Sequence, residues 1–277
     1  MSDQYSVSQL CRTLDVSRAG FKAWRDKKPG PRAVETARLD QELQSVFVEK
    51  RRAYGSPRLT VEMRQRGWKC GKNRVARRMR ENNLAARKRR RYVPRTTQSD
   101  PQATAAPNRM AEVAAPTRAN QIWVCDITYI ATLCGFVYLA AIMDLYSRRI
   151  VGWTLSSTME RSLVLNALRA ALARRDPAPG CLLHSDRGSQ YTSREHRQML
   201  VEHGLEASMS RAGNCYDNAA MESFWSTLKA EGLDQLPSDE KSARMMVFDY
   251  IETFYNPARL HSALGYKSPV DFENQMN

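Results

Sequence analysis

Three acids and one lysine in the second half of the chain are the residue types that phosphoryl chemistry needs. Asp126 lies in the run IWVCDITYI, residues 122–130, among Ile122, Trp123, Val124, Ile127, Tyr129 and Ile130. Both faces of such a strand are apolar. An ionised carboxylate there costs several kcal/mol unless a cation or hydrogen bonds offset it. Two readings stay open on that ground, a structural ion pair and a metal ligand. Asp186 closes the run CLLHSD ahead of Arg187-Gly188. A carboxylate at the C-terminal end of a strand, before a glycine turn, faces a crevice. Glu222 sits on a predicted helix over 218–231 with Asp217 as its N-cap. Lys229 is seven residues further on. Seven α-helical steps fall within about 20° of whole turns, so both side chains leave one face about 10 Å apart along the axis. If two strands and a helix bring Asp126, Asp186 and Glu222 to one point, their hard oxygen donors suit Mg²⁺ or Mn²⁺ and not zinc. Two such ions about 3.5–4 Å apart activate an attacking oxygen and stabilise a leaving 3′ oxygen. Lys229 then fits as a phosphate or DNA contact beside them.

The frame that must position these groups is about two domains in 277 residues, and its charge is unevenly divided. The net charge is +14. Residues 1–120 hold 28 Lys/Arg against 11 Asp/Glu, and residues 121–277 hold 15 against 18. The first part is built to meet a polyanion, which points to nucleic acid.

Residues 1–95 are expected to be a helical, basic DNA-binding region. Within it, 6–27 has helix-turn-helix grammar. Leu10 and Leu14 share a face, Ser17 is placed as an N-cap, and Phe21 and Trp24 follow at helical spacing. Arg18, Lys22 and Arg25 stand on its second helix. A second helical unit is expected over 33–92, with Leu39, Leu43, Val46 and Phe47 at helical spacing. Residues 72–95 carry eleven basic residues against one acid, Glu81. That imbalance is read as phosphate contact through Lys72, Arg74, Arg77, Arg78, Arg87, Lys88, Arg89, Arg90 and Arg91. Residues 96–119, rich in Ala, Pro and Thr, read as a linker.

From residue 120 to the end the texture is α/β. Strands are expected at 122–130, 136–143 and 149–155, joined by short turns as an antiparallel meander. A helix over 162–175 follows, with Leu163, Ala167 and Ala170 on one face. Then come a strand at 181–185, a helix at 193–203, a strand at 206–210 and the helix of Glu222. This order builds a mixed sheet with helices on its faces. Asp144 ends a strand as a catalytic acid might, but Arg148 and Arg149 are near enough to pair with it, so it is read as structural.

Several chemistries are not indicated. The six cysteines form no CxxC pair, and with four histidines a His-rich metal cluster is not expected. No Walker A or GxGxxG loop occurs. No apolar run reaches the roughly 18 residues of a membrane span, and no signal peptide is seen at the N-terminus. No membrane partner is expected.

The segments WVCDITYI (123–130), HSDRGSQYTS (184–193), NCYDNAAMESFWSTLK (214–229) and YNPARLHSALGYKSPVDFE (255–273) resemble bacterial insertion-sequence transposases. Asp186 and Glu222 are separated by 35 residues, the DD(35)E spacing of transposases similar to retroviral integrases. The nearest resemblance is to the orfB product of the insertion-sequence family numbered three. It is strong over 121–273 and weaker over 40–95, where YGSPRLT stands in for a Tyr-Gly-x-x-Arg-Ile turn. The resemblance implies an RNase H-like catalytic core, Mg²⁺ dependence, and DNA cleavage with strand transfer. By position it makes Asp126, Asp186 and Glu222 the catalytic and metal-binding triad and Lys229 the basic residue after the glutamate. It also places Gln190 and Tyr191 in the site wall.

The partners it implies are double-stranded DNA, both the element's terminal inverted repeats and a target, and further copies of the chain assembled on that DNA. The upstream orfA product, or a frameshift fusion with it, is a further implied partner. The location implied is the bacterial cytoplasm, at the nucleoid. Two other functions fit the same residues: an RNase H-type nuclease without joining activity, and a DNA-binding regulator with an inert core. His184, Asn256, Arg259 and His261 are left without a chemical role. His184 is read as shaping the Asp186 turn or touching DNA.

Overall fold

Two serines open the first two helices of the computed structural model, which describes residues 5–87, 106–210 and 219–275. Ser6 caps Val7–Thr13 (α1), and Ser17 caps Arg18–Arg25 (α2) by accepting from the Gly20 amide at 2.9 Å. The Ser17 cap expected from the sequence is in place. This hairpin buries little: Cys11 is its one buried apolar residue, and Trp24 is 73% exposed.

Pro31–Glu49 (α3), Ser56–Gln65 (α4) and Lys72–Glu81 (α5) form a tighter unit. Prolines at the starts of α3 and α4 suit positions whose amides have no helical acceptor. Leu39, Leu43, Val46 and Phe47 of α3 meet Leu59 and Met63 of α4 and Val75 and Met79 of α5 in one core. The apolar spacing read in the sequence is therefore the packing face.

Ile122–Thr132 (β1), Gly135–Asp144 (β2) and Ile150–Ser156 (β3) form the antiparallel meander. Arg161–Arg175 (α6) crosses to Leu182–Ser185 (β4), and Arg194–Glu202 (α7) crosses to Glu206–Met209 (β5). β4 and β5 are parallel to their neighbours, and the sheet order is β3-β2-β1-β4-β5. β1 is central, as its two apolar faces require.

One face of the sheet, with Trp123, Cys125, Ala140, Ile142 and Val151, packs under α6 and α7. The buried face of α6 runs through Leu163, Ala167 and Ala171; Ala170 stands at its rim rather than on it. Gly152 lets α6 approach β3, because a Cβ there would lie 2.4 Å from the Ala167 carbonyl oxygen and 2.6 Å from the Ala171 nitrogen.

Ala219–Thr227 (α8), Glu240–Phe248 (α9) and Pro269–Asn274 (α10) follow β5. α8 and α9 cover the opposite face against Val124, Ile130, Val137, Leu139 and Met143. The helix expected over 218–231 does not stay α-helical. α8 passes into a π-helical turn, Leu228–Gly232, and α9 passes into another, Asp249–Tyr255. The α3–α5 core is continuous with this side. The Tyr54 hydroxyl accepts from the Leu260 amide at 2.7 Å and donates to the Ala258 carbonyl at 3.2 Å.

Asp144 is structural by a different route from the expected pairing with Arg148 or Arg149. Its carboxylate accepts from the amides of Asn120 at 2.7 Å and Tyr146 at 3.0 Å and meets Arg175 at 3.6 Å, while Arg149 turns to Glu273. Asn256 brackets Ile150 by accepting from its amide and donating to its carbonyl, which fixes the start of β3. Among the described residues no helix is long and apolar enough to cross a membrane.

Candidate active site

Alternation along β1 puts Asp126 on the same face as Val124 and Ile130, the face covered by α8. Trp225 of α8 reaches it there. The indole N–H donates to Asp126 Oδ2 at 2.9 Å, and the Ile127 amide donates to Oδ1 at 2.9 Å. Burial pushes the carboxyl up to about 7. Trp225 and the Ile127 amide oppose the rise, and the nearby charges of Asp186 and Glu222 add to it. The ion-pair reading of Asp126 is not favoured, since its polar partners are an indole and an amide. Its electrostatic neighbours include two further carboxylates, Asp186 and Glu222, as well as the Lys229 ammonium.

Asp186 follows β4 directly. Its Oδ1 accepts from the Gly188 amide at 2.9 Å, in the turn at the C-terminal end of β4. Gly188 sits so tightly in that turn that a Cβ would lie 3.0 Å from Asp186 Oδ1. Glu222 lies in the first turn of α8 and is exposed. Asp126 thus feels both other acids. Even so, among the described residues no three His, Cys, Asp or Glu side chains gather closely enough to hold a metal. The single point expected from the sequence is approached but not closed.

Lys229 is beside this group, but not by the α-helical arithmetic that predicted it. It stands in the π turn, and its Nζ lies 4.7 Å from the centroid of the Tyr129 ring. Burial lowers its ammonium below the usual value, against the pull of Asp126. Tyr129 in turn meets Phe136 edge-on at 5.3 Å. The sequence reading missed Trp225 and Tyr129 as site residues. Trp225 lies three positions from Glu222 and Tyr129 three from Asp126, which was the available signal.

The donor chemistry fits a hard divalent cation. The three candidate ligands are all carboxylates, and the nearby imidazole is turned away. His184 is fully buried, with Nδ1 2.9 Å from Ser208 Oγ, so it lies inside the sheet between β4 and β5. Gln190 donates to the Met159 carbonyl at 3.1 Å, and Tyr191 is buried beneath the turn.

The predicted DNA contacts divide into two groups. Arg18, Lys22, Lys72 and Arg77 have exposed side chains, as does Arg25 despite its pairing with Asp26. Arg74, Arg78 and Arg87 turn inward. Arg74 meets Glu35 at 3.0 Å. Arg78 is bound by Asp40, with its Nε at 2.7 Å from Oδ1, and also by Glu81. Arg87 meets Asp234 at 2.9 Å. Each of the three is paired with an acid distant in sequence, so a phosphate contact through it would have to displace that acid. Lys88, Arg89, Arg90 and Arg91 lie outside the described residues, as do Asp217 and Asn218.

Residues 35–92 match the HTH-like domain family. Residues 116–215 and 203–269 match two families that both carry the description integrase core domain. The chain is 40% identical over 267 residues to the insertion element IS600 uncharacterized 31 kDa protein of Shigella sonnei, covering 96% of this chain and 98% of that one. It is 39% identical over 248 residues to the transposase for insertion sequence element IS904 of Lactococcus lactis subsp. lactis, covering 89% and 98%. It is 36% identical over 276 residues to transposase InsF for insertion sequence IS3A of Escherichia coli, covering 98% and 95%.

Proposed function

The chain belongs to the insertion-sequence transposases with an integrase core, and on that premise we propose that Asp126, Asp186 and Glu222 are its catalytic triad and hold two Mg²⁺ or Mn²⁺ ions. The enzyme class is a polynucleotidyl transferase, a DDE transposase acting in insertion-sequence transposition. The observation that carries the triad is the position of Asp126. It is a carboxylate in a central strand, pinned by the helix of Glu222, with its pKa raised first by burial and further by Asp186 and Glu222.

Bound cations would supply Lewis acidity to an attacking oxygen and to the leaving 3′ oxygen of the DNA. The chain's own groups orient the reaction. Trp225 holds the Asp126 carboxylate in one rotamer, the Gly188 amide holds that of Asp186, and Lys229 offers its ammonium to a phosphate beside Asp126. Cleavage adds water across a terminal phosphodiester and frees a 3′ hydroxyl. That hydroxyl then attacks a target phosphodiester and expels a new 3′ hydroxyl, so no bond between protein and DNA is needed.

The domain reading proposed is a basic region at 1–95, a linker at 96–119 and the catalytic core from 120. Arg18, Lys22, Arg25, Lys72, Arg77 and the run 88–91 would hold the element's inverted repeats, mostly through phosphates. Copies of the chain assembled on DNA would pair the two ends, alone or with the upstream orfA product or as its fusion. The site of action proposed is the bacterial cytoplasm, at the nucleoid.

The test is Asp126→Asn, Asp186→Asn and Glu222→Gln, assayed on intact and pre-cut element ends with Mg²⁺. Cleavage and joining should both vanish while DNA affinity stays within about twofold. Joining retained in all three variants would sink the triad.

A further inference from the structure

The π turn Leu228–Gly232 is where α8 departs from α-geometry, and such turns concentrate at functional sites. It carries two charged groups with separate partners. Lys229 lies over Tyr129 beside Asp126. Two residues on, Glu231 is buried and receives three charge-assisted or phenolic hydrogen bonds. Arg259 Nε donates at 2.6 Å, Arg259 Nη2 at 2.7 Å and the Tyr250 hydroxyl at 2.9 Å. Gly232 then presses on the Tyr250 ring, where a Cβ would lie 2.6 Å from a ring carbon.

Arg259 is 2% exposed and is itself fixed from the N-terminal side. Its neighbours Ala258 and Leu260 are the two residues bonded by the Tyr54 hydroxyl, and Arg58 Nε donates to the Leu260 carbonyl at 2.8 Å. A buried ion pair adds little net stability over apolar residues of the same volume. A guanidinium fork on both oxygens of one carboxylate does fix direction.

We infer that Arg259 is a positioning residue for strand transfer: through Glu231 it sets the π turn that stands Lys229 beside Asp126, and Tyr54 ties that setting to the N-terminal helical unit. This rests on Lys229 contacting the reacting DNA.

The test is a double-mutant cycle on full-length protein, read as kcat and KM for joining a pre-cut end. The charge-free pair Glu231→Met/Arg259→Met keeps the volume, and its fold is checked by circular dichroism and melting. It should lower kcat about tenfold with KM unchanged within twofold. In a Lys229→Ala background the same change should cost nothing further, because the positioned group is gone. Arg259→Lys and Tyr54→Phe should give smaller losses that also disappear in that background, and they carry the test if the pair does not fold. Losses that simply add in the Lys229→Ala background overturn the inference, as does a folded pair with undiminished kcat. If Lys229→Ala alone joins normally, it is the proposed role of Lys229 that fails.

Discussion

The indole N–H of Trp225 donates to Asp126 Oδ2 at 2.9 Å, so the helix that carries Glu222 is fastened to the strand that carries Asp126. Partners that orient a ligating carboxylate typically matter about 10–100-fold for metal affinity. Trp225→Phe keeps most of the ring and removes the donor. The Mg²⁺ concentration for half-maximal joining should rise roughly tenfold or more, with DNA affinity unchanged. An unaltered Mg²⁺ titration would show that Trp225 is only packing.

Two arginines one position apart should separate DNA contact from folding. Arg77 is exposed and meets Glu81 at 3.8 Å, while Arg78 is closed in by Asp40 and Glu81. Arg77→Ala should reduce the slope of log affinity against log salt by about 1 and leave the melting temperature alone. Arg78→Ala should cost about 2 kcal/mol of stability and leave the slope alone. The reverse pattern in salt titrations and melts would refute the division.

The arginines of α5 show what the sequence could and could not reveal. A basic run counts its neighbours along the chain, and over 72–95 it finds one acid. The acids that occupy Arg74 and Arg78 are Glu35 and Asp40, on another helix and 38–39 positions away. Asp126 was legible because a carboxylate inside an apolar strand has no cheap explanation. The strands were legible because β-branched and aromatic runs were bounded by turn residues. The π turn was not, since nothing in LKAEG distinguishes it from α-helix. Glu231 inside that turn is held by Arg259, 28 residues away. Lys229 was therefore placed in the right neighbourhood by the wrong geometry.

Gly152 is a position where side-chain size alone should decide. Ala167 and Ala171 of α6 leave no room for a Cβ, and the clashing atoms are two backbone atoms and the Ala171 Cβ, none of which can rotate away. Gly152→Ala should destabilise by about 3 kcal/mol, seen as a lower denaturant midpoint at unchanged slope. A midpoint equal to the parent's would mean that α6 can lift from β3 at no cost.

His196 should make the fold sensitive to mild acid. It is 3% exposed, packed edge-on to Tyr191 at 5.6 Å, and burial pushes its imidazole down to about 4. The unfolded chain binds a proton near pH 6.5 and the folded chain resists it. The neutral form's contribution is therefore complete above about pH 6.5 and drains away as pH falls towards 4. By pH 5 the loss should be about 2 kcal/mol relative to pH 7. His261, pushed down to about 2 by burial and by Arg259, Arg58 and Arg148, should act in the same direction. His196→Phe removes one of the two protons. Urea midpoints taken from pH 7 to pH 5 should fall less steeply for that variant than for the parent. Parallel curves would show that His196 already titrates normally in the fold.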